Sequence, residues 1–192
     1  KIVTHTGGLP GYLSQVTLVP ALKLGVAVLT NQEAGEAFTA VTNHVLDAYL
    51  GAGDTDWLAV FEKRHAAAQA QQADEETRIA AARDSLSGPS LPPERYAGTY
   101  RDAWYGDVEI AQENGGLVMR FSHTPVLVGD VRHWQHDTFV VRWRDRSLRA
   151  DAFVTFTLRP DGTLAEARME AVSSATDFSF DFHHLRLVPV AP

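Results

Sequence analysis

The sequence predicts an α+β chain in three parts: a small antiparallel sheet closed by a helix over residues 1–52, a helical linker over 53–91, and an antiparallel β-barrel over 92–192. Three observations carry that reading. Apolar alternation and one continuous apolar run crowd the first fifty residues. From Trp57 to Leu86 the chain contains neither Gly nor Pro. Beyond residue 92, many short alternating segments are split by turn residues.

The first part opens on a short strand and a glycine loop. Tyr12-Leu13-Ser14-Gln15-Val16-Thr17-Leu18-Val19 then alternates as a half-buried strand does, and Pro20-Ala21-Leu22-Lys23 turns the chain. Leu24-Gly25-Val26-Ala27-Val28-Leu29 is apolar throughout, which predicts a strand covered on both faces. The helix after it carries Phe38, Val41, Val45, Leu46 and Tyr49 at spacings of three and four. Glu33 and Glu36 stand near its positive end, and Gly51 is placed as a stop.

Asp54-Thr55-Asp56 is the capping signal of the second part. Its apolar anchors Trp57, Leu58, Val60 and Phe61 sit at the front, and alanine dominates beyond His65. The pattern predicts a helix of about 30 residues, roughly 45 Å long, packed mainly at its start and suited to a spacer. In the third part Asn114-Gly115 and Asp161-Gly162 are strong hairpin signals, and about eight strands at this spacing predict a closed barrel, which removes exposed edges. Phe178, Phe180 and Phe182 share one parity and Leu185 and Leu187 the other, so a bulge at His183-His184 is expected in the last strand.

Composition excludes several function classes. The net charge of −7 argues against a phosphate-tracking surface, so nucleic acid is not an expected partner. No apolar run approaches the ~20 residues of a membrane span. With no cysteine there is no disulfide, thiol nucleophile or thiolate site. No cofactor is expected. His123, His133, His136, His183 and His184 raise the question of a metal, but on a strand His133 and His136 face opposite ways and no acidic residue or Cys completes a known ligand pattern, so none is expected. Trp104, Trp134 and Trp143 are expected to fill the barrel or line a cavity in it.

The chemistry concentrates in His5-Thr6-Gly7-Gly8-Leu9-Pro10-Gly11-Tyr12. Acyl transfer builds negative charge on a carbonyl oxygen, and a backbone N–H beside consecutive glycines can approach it closely, with no Cβ in the way. The stretch resembles the His-Thr-Gly-Gly box of serine hydrolases in the β-lactamase and penicillin-binding-protein family, and the run through Leu29-Thr30-Asn31 resembles the segment C-terminal to that box. Tyr96-Ala97-Gly98-Thr99-Tyr100, Tyr105-Gly106-Asp107, His133-Trp134 and Thr138-Phe139 resemble the lipocalin-like domain often appended to those hydrolases. The resemblance implies a partial β-lactamase-like sheet with its C-terminal helix, then a linker helix, then a lipocalin-like barrel. It also implies catalytic roles for Gly8, whose N–H would be one oxyanion donor, for His5, which stands where many β-lactamases carry Lys, and for Thr6 as a hydroxyl donor. Gly7, Pro10 and Gly11 are expected only to shape the turn.

The family places its nucleophile, in Ser-x-x-Lys, and its Tyr-x-Asn element upstream of this box. Here no serine has Lys three positions later and no tyrosine has Asn two positions on. The resemblance therefore implies a C-terminal portion of a larger hydrolase of an ester, peptide or β-lactam, inactive alone, in a periplasmic or extracellular bacterial setting. Its expected partners are the missing N-terminal catalytic portion, or a second copy through residues 1–50, and a small acyl substrate in the intact enzyme. The competing reading is a non-catalytic barrel module for small-ligand or protein binding.

Overall fold

A computed structural model describes residues 1–9 and 11–190 and divides into two compact units, Lys1–Gln71 and Gln72–Pro192. The described residues are α+β: two helices, a three-stranded sheet and a separate closed barrel of eight antiparallel strands.

In the first unit, strands β1 (Val3–Leu9), β2 (Tyr12–Val19) and β3 (Leu24–Thr30) lie in that order, all antiparallel. Helix α1 (Gly35–Leu50) packs on β2 and β3, burying Phe38, Thr42 and Leu46 one turn apart, with Thr17 and Val19 of the sheet also buried. Thr42 Oγ1 donates to Gln15 Oε1 at 3.0 Å, which satisfies the buried hydroxyl. The helix stops at Gly51, whose φ of 64° is left-handed and whose N–H bonds the Asp47 carbonyl. Val41 and Tyr49, expected on the buried face, are exposed because the buried stripe is the narrower i, i+4, i+8 row through Thr42.

The expectation that β3 is covered on both faces is also corrected. Its residues alternate between half-buried and exposed, because α1 covers one face only, and Leu29 is 80% exposed. Val3, Leu9, Tyr12, Val16 and Leu18 share that open face with Leu29 and are likewise exposed.

Helix α2 runs from Trp57 to Ala81, beginning in the first unit and ending in the second. Asp56 caps it through the Ala59 N–H at 3.0 Å, and Trp57 Nε1 donates to Asp47 Oδ2 at 2.7 Å. Phe61 is its one buried residue among those described. The helix has 25 residues rather than about 30 because the next residues turn to the barrel. Arg83 Nε donates to the Trp134 carbonyl at 2.6 Å with its guanidinium over the Trp134 ring, and Asp84 N donates to Gln135 Oε1 at 2.8 Å.

The barrel strands are β4 (Gly98–Asp102), β5 (Gly106–Glu113), β6 (Gly116–Phe121), β7 (Val128–Gln135), β8 (Thr138–Trp143), β9 (Ala152–Leu158), β10 (Leu164–Ala171) and β11 (Arg186–Pro189). Each pairs with its neighbours in sequence and β11 closes on β4. Asn114 and Gly115 have φ of 53° and 79°, the two positive values a type I′ hairpin requires. The interior is filled by alternate residues, among them Tyr100, Ile110, Met119, Phe139, Val141, Trp143 and Phe156. Gly129 makes room for this packing, since a Cβ there would meet Val141 Cγ1 at 2.7 Å and Trp143 Cε3 at 2.8 Å.

The chain before β11 is not the bulged strand that the parity of its phenylalanines suggested. Residues Phe182–His184 form a 3-10 turn; Phe182 is buried, Phe178 is 89% exposed, and Phe180 stacks on Phe182 at 5.7 Å. The parity change arises from this turn and not from a bulge.

Candidate functional site

The His5–Gly8 segment lies on β1, the outer strand of the three, with one edge unpaired within the sheet. The register sets His5 opposite Val16, Thr6 opposite Gln15 and Gly8 opposite Leu13. Leu9 pairs directly with Tyr12, and closing pairs of two-residue hairpins exchange hydrogen bonds, after which bonded and non-bonded pairs alternate. The N–H groups of Gly8 and Thr6 therefore point away from β2. Thr4 has the same parity as Gly8, and its Oγ1 meets Thr17 Oγ1 at 2.9 Å, as expected of the closer non-bonded pairs.

The glycines are extended, so conformational freedom does not explain them; close approach does. A Cβ on Gly7 would meet Ser14 Oγ at 3.0 Å, and one on Gly8 would meet Leu13 Cδ2 at 3.1 Å. His5 projects to the open apolar face of the sheet and Thr6 to the face that α1 covers, being neighbours on one strand. Both are exposed, and neither side chain has a hydrogen-bond partner among the described residues. Gly11, at φ 83°, donates its N–H to Glu33 Oε1 at 2.8 Å, which ties the hairpin to the approach of α1; Pro10 lies outside the described residues. What this edge offers chemically is a row of outward backbone donors flanked by an imidazole and a hydroxyl.

Two surface clefts lie elsewhere. One of about 550 Å³ is formed by α1 and the start of α2 and includes His44 and Trp57. Another of about 460 Å³ sits at the rim of the barrel beside Glu94, Asn114 and His133. Neither includes His5, Thr6 or Gly8.

The remaining candidates separate. His133 Nε2 pairs with the His136 carbonyl at 2.9 Å, and His136 sits in the turn at φ 46° with Nε2 3.7 Å from Asp84, so the two rings do not converge. Trp143 is core, whereas Trp104 is 86% exposed and Trp134 packs on Phe153 outside the filled interior. His183 and His184 do converge, and with an acidic residue that the sequence pattern did not bring in: Asp181, whose ligand oxygen lies within 4.8 Å of a ring nitrogen of each. The 3-10 turn brings positions i, i+2 and i+3 together in a way an extended strand cannot, so the signal depended on a turn that phenylalanine alternation hid.

A family profile for a domain of unknown function (DUF3471) matches residues 82–189. The unguisins hydrolase ungD of Aspergillus violaceofuscus (strain CBS 115571) is 31% identical over 117 residues, covering 57% of this chain and 21% of that protein. This chain thus spans about a fifth of the length of the curated relative it matches. The crystal structure of the C-terminal domain of penicillin binding protein Rv0907 aligns with 57% of this chain and 94% of its own, at TM-score 0.41 and 18% identity. The chain belongs to the DUF3471 family, whose profile covers more than half of it. No helix among the described residues is long and apolar enough to cross a membrane.

Proposed function

We propose that this chain supplies the oxyanion-side wall of a serine hydrolase that acts by acyl transfer on an ester, peptide or β-lactam, and that it is inactive alone. The carrying observation is the outward edge of β1, where Gly8 N–H faces open space with no side chain of its own. In the reaction, a nucleophile supplied upstream attacks the substrate carbonyl, and Gly8 N–H donates to the oxygen as it gains charge. His5 and Thr6 stand beside that edge with their polar atoms uncommitted, ready to hydrogen-bond substrate or a catalytic side chain from the upstream portion. The open apolar face with Val16, Leu18 and Leu29 is read as the seat of that upstream portion, and in its absence of a second copy of residues 1–50. The barrel stands as a packed companion domain, since its interior is filled. A periplasmic or extracellular bacterial location goes with this reading.

The test is a comparison of this chain with the longer protein on nitrophenyl esters and a chromogenic β-lactam. The longer protein is expected to turn over at least one of them, and the chain alone to stay at the buffer rate. Burst kinetics or labelling of the chain by a serine-directed phosphonate would contradict the proposal.

A further inference from the structure

Asp181, His183 and His184 place one carboxylate oxygen and two imidazole nitrogens within 4.8 Å of one another on the barrel surface. We propose that this turn is a binding site for a divalent transition-metal ion of the zinc class. Two nitrogens and an oxygen form the donor set such ions prefer, and three protein ligands leave coordination positions open to water. Tetrahedral zinc separates its ligand atoms by about 3.3 Å, so modest rotations of two exposed imidazoles close the gap. Both rings are already adjacent, with centroids 4.0 Å apart.

The backbone that presents them is fixed. His184 N donates to the Asp181 carbonyl at 2.9 Å and Leu185 N to the Phe182 carbonyl at 3.1 Å. Phe182, which stands between the ligands in sequence, is buried and stacks on Trp143 at 5.9 Å, and Leu185 is buried on the other side. The core therefore grips Phe182 and Leu185, on either side of the two histidines, while both imidazoles stay exposed. Tyr105 Oη donates to Asp181 Oδ2 at 3.3 Å, which orients the carboxylate as outer hydrogen bonds orient metal ligands. Ca²⁺ and Mg²⁺, which require oxygen ligands, are not expected to bind.

Isothermal titration of the full chain with Zn²⁺ tests this, with melting as a second readout. One ion per chain at micromolar affinity is expected, with no heat from Ca²⁺, and at a hundredfold excess of Zn²⁺ over Kd the Tm rises by about 3 °C or more. The double variant His183→Ala/His184→Ala loses the binding and the Tm rise. Tyr105→Phe weakens binding about tenfold. His133→Ala/His136→Ala leaves it unchanged. Absence of binding at millimolar Zn²⁺, or the same one-to-one binding in His183→Ala/His184→Ala with its circular dichroism intact, overturns the site.

Discussion

Asp137→Ala is expected to destabilise the barrel by about 2–4 kcal/mol, because one carboxylate satisfies three donors. It accepts the Tyr96 hydroxyl and the Ser90 N–H, at 2.9 Å, on one oxygen and the Ser90 hydroxyl, at 2.7 Å, on the other. Ser90 is exposed and recovers its bonds from water, so most of the loss falls on Tyr96, which is fully buried; its oxygen keeps the Leu91 N–H at 3.1 Å, but its O–H would be left without an acceptor at about 1–3 kcal/mol. The remainder comes from charged hydrogen bonds that are partly screened. For a chain of this size that is about 5–15 °C in Tm. Tyr96→Phe alone should cost about 1–2 kcal/mol, and the double variant should fall short of the sum by about 1 kcal/mol or more. Chemical denaturation of the four proteins, followed by tryptophan fluorescence, measures the cycle. Additivity within about 0.5 kcal/mol would show that the two groups are not energetically joined. A second signature is alkaline. Burial, reinforced by Asp137, pushes the Tyr96 phenol up to about 12 from its ordinary 10. A raised value gives stability that is complete below pH 10 and lost as pH rises through about 12, so Tyr96→Phe should flatten stability over that window.

Three further outcomes are expected from the same structure. Asp102 is buried, which opposes its ionisation, yet the N–H groups of Arg186, Tyr105 and Trp104 outweigh burial and hold its carboxyl below the usual range; stability from it is present above about pH 4 and lost as pH falls through the lowered value, so Asp102→Asn should lower stability at pH 7 and reduce the acid slope in a urea–pH series. A fragment of residues 82–192 should unfold cooperatively and at a higher Tm than one of 92–192, which lacks Arg83, Asp84 and Ser90 and their bonds to the β7–β8 hairpin; equal Tm values on a melting curve contradict this. Residues 1–50 should drive self-association, so light scattering should report oligomers of the 192-residue chain and a monomeric barrel fragment; a monodisperse full-chain monomer, with the amides of Val26 to Leu29 protected from exchange, argues the reverse.

Elements closed by local chemistry were legible. Asn114 and Gly115 announce a turn with two positive φ values, Gly51 a left-handed stop, and Asp56 a cap, and each is used that way. Features decided by distant contacts were not. Nothing local ends α2 at Ala81; Arg83 and Asp84 leave the helix for Trp134 and Gln135, some fifty residues on in sequence. The segment around Phe178, Phe180 and Phe182 imitates a strand because a 3-10 turn buries one ring and exposes another at strand-like spacing, and that imitation concealed the Asp181, His183 and His184 cluster. At the glycine box the residue types could be read from the sequence, whereas the outer position of β1, which gives Gly8 N–H its free direction, comes from strand order.

Gly8 in the proposed intact hydrolase gives the most direct test, because two substitutions separate the donor from the space around it. Gly8→Pro deletes the N–H at an outward position where the ladder loses no bond, whereas Gly8→Ala keeps the N–H and asks only that Leu13 Cδ2, 3.1 Å from the new Cβ, give way slightly. With folding checked by melting, kcat/KM on the best acyl substrate is the measurement. A loss of about a hundredfold or more is expected for Gly8→Pro and of about tenfold or less for Gly8→Ala. Near-normal activity in Gly8→Pro would contradict it.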